Sequence, residues 1–337
     1  MKKKILCSLI ALSVLIVFSP RHESQAAAPY YEGKRINIIV GFAPGGGYDL
    51  FSRTLARLLP KYIPGNPTIL IQNMPTANSM AAANHVFNVS KPDGLTFGIF
   101  NRGLIFSQLL KEQGVRFDMR KFSWLGSASV ENATLALRAD LPFKTLDDVL
   151  KAKEPLKIGG MGASDINNQF ALCLKDFLKM NMKTPTYRSG AEVMLAIERK
   201  ELDGRCSSIT SIMPWVKRNV LRCWIRGRTS TPEIENLPVD EDLTTDKLGK
   251  TLMAMRSAVD VFGRSFAAPP NTPPHVMNIL RDALSKVVKD PALDEQANKE
   301  LFAGAQFVSP EECLKSLDYV FNQPEDITKE LKKYVQF

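Results

Sequence analysis

The chain has 337 residues, of which 44 are Lys or Arg and 35 are Asp or Glu, so its formal charge is +9 at pH 7. The basic residues are spread along the chain rather than collected in runs, which argues against a nucleic-acid-binding protein. The length exceeds what one compact core usually holds and predicts two lobes.

The first 28 residues have the layout of a cleavable secretory signal peptide. Lys2, Lys3 and Lys4 precede the apolar segment 5–18, and residues 26–28 are three alanines that a signal peptidase could recognise. The apolar segment is shorter than the roughly 20 residues needed to span a bilayer. We therefore expect a free periplasmic protein that begins near Pro29.

Short apolar runs alternate with helical patterns along the rest of the chain, which predicts an α/β fold with mostly parallel sheets flanked by helices. Phe51, Leu55, Leu58 and Tyr62 have the spacing of a helix face packed on a sheet. The predicted strands are 36–40, 68–72, 95–100, 134–138, 156–159, 184–187, 204–208, 221–225 and 264–268.

The loop 42–49 connects an apolar, strand-like run to a predicted helix. It contains the glycines 45–47, and Asp49 lies in the first turn of the helix. N–H groups at a helix start have no partner within the helix, and small residues let an anion approach them. The glycines match neither GxxxxGK[ST] nor GxGxxG, which disfavours a nucleotide. The loop predicts recognition of an acid, and a plain capped turn is the alternative.

Three further loops follow predicted strands and lead into helices, the position where ligands collect in open α/β sheets. They are 159–168, 187–190 and 203–208. Arg102, Arg188 and Arg205 could each hold a carboxylate through two hydrogen bonds, and a solvated surface position is the alternative for each.

Four cysteines follow the signal segment, and none forms a CxxC pair, so no metal site is predicted. An oxidising compartment would permit a bridge between Cys206 and Cys223, and free buried thiols are an equal alternative.

Only His85 and His275 remain after the signal segment, so a Ser-His-Asp or Cys-His catalytic arrangement would have to use one of them. Nothing in the sequence brings two carboxylates together for acid–base work. We therefore predict a binding protein without a cofactor. A secreted hydrolase or isomerase acting on a carboxylated metabolite is the alternative.

The chain resembles the periplasmic solute-binding proteins of tripartite tricarboxylate transporters, the Bug receptors, in five successive segments: GFAPGGGYD, QNMP, KPDGLTFG, YRSGAEVMLAIERKELDGRC and FAAPPNTPPHVMNILRDAL. The resemblance implies two lobes joined by crossing strands, with a carboxylated solute in the cleft between them. The lobes would be 29–123 with 228–337, and 124–227. The expected partners are a small organic acid and a permease of one large and one small membrane subunit, and the receptor itself is expected to be a monomer.

By that resemblance, the loop 42–49 grips a carboxylate through backbone N–H groups of Gly45 to Tyr48, with Asp49 holding the helix start or a bridging water. Ser164 and Asn168 would act from the second lobe. The predicted ligand-binding residues are Ala43, Gly45, Gly46, Gly47, Tyr48, Asp49, Asn78, Arg102, Gly162, Ser164, Asn168, Arg188 and Arg205.

Two departures from the family pattern matter. Where the family has a Pro-Gly-Ala-Gly turn, this chain has Pro75-Thr76-Ala77-Asn78, which disfavours close backbone approach there. Asp165 would repel a carboxylate, so the second lobe is expected to hold a neutral or hydrogen-bonding end of the solute. Aromatic acids stay open because Tyr48, Phe100 and Trp215 could line the cleft, and a sensory binding subunit is a further alternative.

Overall fold

The computed structural model describes residues 28–162, 165–300 and 305–335, with the side chains of 294 and 297–300 excepted. The predicted signal segment, apart from Ala28, lies outside the described residues, as does Ser164. The strands are β1 (Arg35–Val40), β2 (Thr68–Asn73), β3 (Thr96–Ile99), β4 (Ser123–Ser127), β5 (Ala133–Arg138), β6 (Leu156–Gly159), β7 (Met182–Lys183), β8 (Gly204–Ser208), β9 (Leu221–Arg226) and β10 (Ser265–Ala268).

The α-helices flank these strands. They are α1 (Gly47–Leu58), α2 (Met80–Asn88), α3 (Leu104–Leu109), α4 (Leu146–Leu150), α5 (Ile166–Phe177), α6 (Gly190–Glu198), α7 (Ile209–Lys217), α8 (Lys247–Ala258), α9 (Pro274–Val287), α10 (Pro291–Glu300), α11 (Pro310–Phe321) and α12 (Glu325–Leu331). Short 3-10 helices cover Leu59–Tyr62, Asp240–Leu243 and Val259–Phe262. None of the helices in the described part of the chain is both long and apolar enough to pass through a bilayer.

The strands form two five-stranded sheets, in the orders β2-β1-β3-β10-β4 and β7-β6-β8-β5-β9. β10 and β5 each run antiparallel to both of their neighbours, and the other pairs are parallel. Four strands of each sheet therefore run in one direction, as predicted, and one strand is reversed. The chain changes sheets twice, from β4 to β5 and from β9 to β10. The two reversed strands, β5 and β10, are the first strands formed after each change.

Eight of the nine predicted strands are present within one or two residues, one predicted strand differs, and one strand of the structure was not predicted. β4 was missed because its apolar centre is only Trp124 and Leu125, followed by Gly126. The predicted strand 184–187 is reduced to an isolated bridge between Gly160 and Thr186, and the regular pairing lies in β7 instead. Pro185 has no N–H for a strand ladder, which explains the shift.

The helix face predicted for α1 packs against the first sheet. Phe51 and Leu55 are fully buried in the cluster that also contains Ile38 of β1 and Leu280 of α9. The apolar spacing therefore gave correctly the face of α1 that packs on the sheet.

Cys206 and Cys223 do not form a bridge. Cys206 on β8 faces Leu135 of β5, and Cys223 on β9 faces Ala136 on the other side of β5. Two strand spacings separate the cysteines by roughly 9 to 10 Å, beyond the ~7 Å that a disulfide allows between Cα atoms. Both thiols are free, as are those of Cys173 and Cys313.

Candidate functional site

Asp49 is buried beneath the turn that leads into α1 and holds that turn in place. Its Oδ2 accepts hydrogen bonds from the N–H of Gly45 at 2.8 Å and from Nε of Arg53 at 2.9 Å, and its Oδ1 accepts one from Nδ2 of Asn73 at 2.8 Å. Burial alone would raise the pKa of the carboxyl, but these hydrogen bonds outweigh it and lower the pKa. The N–H of Gly45 is therefore used within the chain.

A cavity of about 480 Å³ lies between the two sheets, at the end of β1 and the start of α1. The first sheet and its loops contribute Phe42, Gly47, Tyr48, Asn78, Asn101, Arg102 and Arg264, and the second contributes Met161, Asp165, Ile166, Asn167, Ser208 and Ser211. Glu131, on the segment between β4 and β5, completes the lining. The volume lies in the range of small-molecule sites.

Gly47 and Tyr48 bring the first turn of α1 to this cavity. Their N–H groups lie ahead of the first intrahelical hydrogen bonds, so the helix offers them no carbonyl. Gly46, the N-cap, has no side chain that could accept hydrogen bonds from these N–H groups. The helix start thus presents the partial positive charge that favours an anion.

Arg264 forms the neighbouring part of the same wall. Its guanidinium carbon lies 3.9 Å from the centre of the Tyr48 ring, and the Phe42 ring stacks on Tyr48 at 3.8 Å between centroids. A Cβ on Gly47 would lie 3.7 Å from Nη2 of Arg264. Because Gly47 has no side chain, this residue does not cover Arg264, which is itself buried and lines the cavity beside the helix start.

A buried network of charges supports this wall. Nη1 of Arg264 donates to Oε1 of Glu131 at 2.8 Å, and Nη1 of Arg102 lies 3.6 Å from the same oxygen. Nη2 of Arg102 lies 3.5 Å from Oδ1 of Asp260, whose Oδ2 accepts a bond from Arg256 at 3.2 Å. Burial would raise the pKa of Glu131, but the charges of Arg102 and Arg264 outweigh it and lower the pKa.

The second side of the cavity begins at α5. Asp165 is the N-cap of this helix, and its Oδ1 accepts bonds from the N–H of Asn167 at 3.0 Å and from Nδ2 of Asn167 at 3.1 Å. Ser208, the last residue of β8, also lines the cavity, and its hydroxyl lies 2.9 Å from that of Thr210.

The turn that departs from the family pattern reaches the cavity through Asn78. Ala77, Asn78 and Ser79 all have positive φ, which non-glycine residues adopt only with strain. Oδ1 of Asn78 accepts a bond of 2.6 Å from Nδ2 of Asn101, and Oγ of Ser79 donates to the carbonyl of Gly41. A side-chain amide therefore stands where the family turn would present glycine backbone.

The structure places some of the predicted ligand-binding residues in the cavity lining and others outside it. Gly47, Tyr48, Asn78 and Arg102 line the cavity. The lining does not include Ala43, Gly45, Gly46, Asp49, Gly162, Asn168, Arg188 or Arg205.

Two of these residues have other partners in the structure. Arg205 is buried, and its Nη1 donates to the carbonyl of Gly190. Asn168 is buried against Gly160.

Sequence reasoning missed Arg264, Glu131 and Asn101. Arg264 was predicted only as the start of a strand, and Glu131 lies in a segment with no motif. Of the aromatic residues considered, Phe100 is buried in the core, and Trp215 donates to Glu198 away from the cavity. Within the described ranges, no three His, Cys, Asp or Glu side chains are arranged to hold a metal ion.

A family profile described as "Tripartite tricarboxylate transporter family receptor" matches residues 53–307, more than half of the chain. The chain belongs to this receptor family. The receptor is 25% identical to a UPF0065 protein of Bordetella pertussis over 278 residues, covering 81% of this chain and 82% of that protein. Membership confirms the predicted binding protein, as opposed to an enzyme, and implies a periplasmic location.

Solved structures confirm the two-lobed fold of the receptor. A TctC solute binding protein from Polaromonas, without ligand, superposes with a TM-score of 0.71 at 18% identity, over 90% of this chain and 99% of that one. MatC from Rhodopseudomonas palustris with bound malate superposes with a TM-score of 0.59 at 18% identity, again over 90% and 99%. At these identities the likeness concerns the fold.

Proposed function

We propose that this receptor captures a small organic acid in the cavity between the two sheets and delivers it to a tripartite tricarboxylate-type permease. The observation that carries the proposal is the cavity wall formed by the start of α1 at Gly47 and the guanidinium of Arg264. Free helix N–H groups and a guanidinium side by side favour a carboxylate, and charge-assisted hydrogen bonds contribute about 1.5 to 3 kcal/mol each.

The position of the cavity supports a receptor that closes around its solute. Both sheets contribute to the lining, and Glu131 lies on the segment that connects them. A solute that contacts both sides stabilises the closed arrangement, and such closure is a common signal of occupancy. MatC, which shares this fold, is described with bound malate, so an acid of this size is a reasonable first probe.

We further propose that each sheet marks one lobe. β4 (Ser123–Ser127) hydrogen-bonds to β10 in the first sheet, so the sheets favour a first lobe that extends to residue 127 rather than 123. The second lobe then follows from the crossing segment 128–132 to β9, which ends at Arg226. We also propose that residues 1–28 are a cleavable signal peptide. The receptor is a monomer, and its partner is a permease of one large and one small membrane subunit.

A thermal-shift screen of di- and tricarboxylates, amino acids and aromatic acids tests the proposed function. A ligand at 100 times its dissociation constant adds about 2.7 kcal/mol to the free energy of unfolding, which raises the melting temperature measurably. If mass spectrometry shows that the purified protein converts a bound acid into a product, the enzyme alternative is favoured. A strain that lacks this protein and still takes up the bound acid would favour a sensory subunit.

A further inference from the structure

Among the described residues, the cavity lining carries two positive and two negative side chains. Arg102 and Arg264 lie on the first-sheet side, Glu131 lies on the connecting segment, and Asp165 lies on the second-sheet side. Their formal charges cancel. A solute with two or three negative charges would enter a cavity that has no net positive charge to compensate it.

The two carboxylates differ in their partners. Glu131 accepts from Arg264 and faces Arg102, so its charge is compensated within the wall. Asp165 accepts two bonds from Asn167 through Oδ1 and forms no ion pair with a lysine or arginine of the described residues. Asp165 lies in the field of Arg102 and Arg205. Of the two lining carboxylates it is nevertheless the one without a direct ion-pair partner among the described residues, so its charge is the more available to a solute.

Arg205 does not remove this charge from the cavity. Its guanidinium is buried behind Gly190, to whose carbonyl it donates at 3.2 Å, and it does not contribute to the lining. The field of Asp165 reaches it without a direct contact. Asp165 lines the cavity and Arg205 does not. A solute group in the cavity therefore meets Asp165 first, and the interaction energy of two charges rises as their distance falls.

We infer, on the basis of the proposed function, that the solute is an amino acid in the broad sense: it carries an ammonium group for Asp165 in addition to the carboxylate held by Gly47 and Arg264. An ammonium group donates to Asp165 and leaves the charges of the closed cavity balanced. A second carboxylate at that position would meet Asp165 in a water-poor space, where like charges repel strongly. Asp165 is therefore the specificity-determining residue of the second lobe.

Asp165 also caps α5, and a suitable substitution separates the two roles. Asparagine caps helices about as well as aspartate, so Asp165→Asn keeps the hydrogen bond to the N–H of Asn167 and removes the charge. Asp246 is a matched control, because it caps α8 through a 2.9 Å bond from the N–H of Gly249 and lies outside the cavity lining. Asp246→Asn makes the same chemical change at a distant helix.

The test is calorimetry with α-amino acids, ω-amino acids of three to six carbons and dicarboxylates of the same carbon numbers. We expect the wild-type protein to bind a member of the amino acid sets about tenfold or more tightly than the dicarboxylate of equal length. Asp165→Asn should weaken amino acid binding by about tenfold or more and strengthen dicarboxylate binding, whereas Asp246→Asn should change neither.

Two other outcomes separate a failure of this inference from a failure of the proposed function. If the wild-type protein binds only acids without an ammonium group, or if Asp165→Asn leaves the preference unchanged, the inference about Asp165 is wrong and the proposed function stands. If no organic acid of this panel or of the thermal-shift screen binds, the proposed function fails, and the inference fails with it.

Discussion

Nη1 of Arg264 donates a 2.8 Å hydrogen bond to Oε1 of Glu131, and both side chains are buried although 133 residues separate them along the chain. The backbone of Glu131 is equally engaged: its N–H donates to the carbonyl of Asp260, and its carbonyl accepts from the hydroxyl of Thr229. One residue of the segment between β4 and β5 thus fixes a guanidinium of the cavity and contacts the chain as it leaves the second sheet.

Replacement of Glu131 by glutamine should destabilise the protein by about 3 kcal/mol at pH 7, because it leaves Arg102 and Arg264 buried without their shared counter-charge. Urea unfolding measures the difference. Asp282→Asn, which removes an exposed pair with Lys286, should cost less than about 1 kcal/mol.

The pH dependence of the Glu131 effect has a definite sign. The charges of Arg102 and Arg264 hold the pKa of Glu131 below its ordinary value against burial, so its stabilising contribution is complete above the unfolded-state pKa of about 4.3. The contribution is lost as the pH falls through the lower folded-state pKa. A stability difference between wild type and Glu131→Gln that grows on acidification would contradict this account.

Asp240→Asn should stabilise the protein at neutral pH. Asp240 is fully buried, and burial raises its pKa to about 6 despite the charge of Arg256. Between the unfolded pKa of about 4 and this value, the native state holds a proton that the unfolded state has released, so the free energy of unfolding falls as the pH rises. The substitution should remove a penalty on the order of 3 kcal/mol at pH 7.5 and have little effect at pH 4, as measured by urea unfolding. An equal effect at both pH values would refute the assignment.

Gly47→Asp should lower the affinity for the solute by about 100-fold or more while the fold stays intact. Among the described residues, the new Cβ meets Nη2 of Arg264 at 3.7 Å and no other atom within 4 Å. The added carboxylate then takes the place of the solute's own beside that guanidinium. Gly47→Asn adds the same bulk without the charge and should lose less affinity. Calorimetry with the acid identified in the screen provides the measurement, and undiminished affinity of the aspartate variant would show that the solute lies elsewhere.

The four thiols of Cys173, Cys206, Cys223 and Cys313 should remain free in the periplasmic protein. Burial raises the pKa of Cys173 to about 12 and that of Cys223 to about 11, so little thiolate is present at neutral pH. A thiol reagent should react slowly with the native protein and with all four groups after unfolding. Recovery of a peptide that links Cys206 to Cys223 would overturn the strand arrangement described above.

The sequence alone determined the features that depend on near neighbours. The apolar spacing of Phe51 and Leu55 predicted the buried face of α1, and the glycines 45–47 with Asp49 predicted where this helix starts, because period and backbone freedom are local properties. The series of family segments then predicted the two-lobed receptor that the profile and the solved structures confirm.

Only the tertiary structure decided which charged residues meet. Arg205 and Arg264 each sit in or before a strand, yet Arg205 is buried behind Gly190 and Arg264 faces the cavity. The chain crosses to the second sheet at β5 and returns to the first at β10. These crossings bring Arg264 to Glu131 and place Asp165 on the other side of the same cavity. Contacts across such sequence separations depend on how the whole chain crosses between its sheets, and no local pattern of residue types encodes that path.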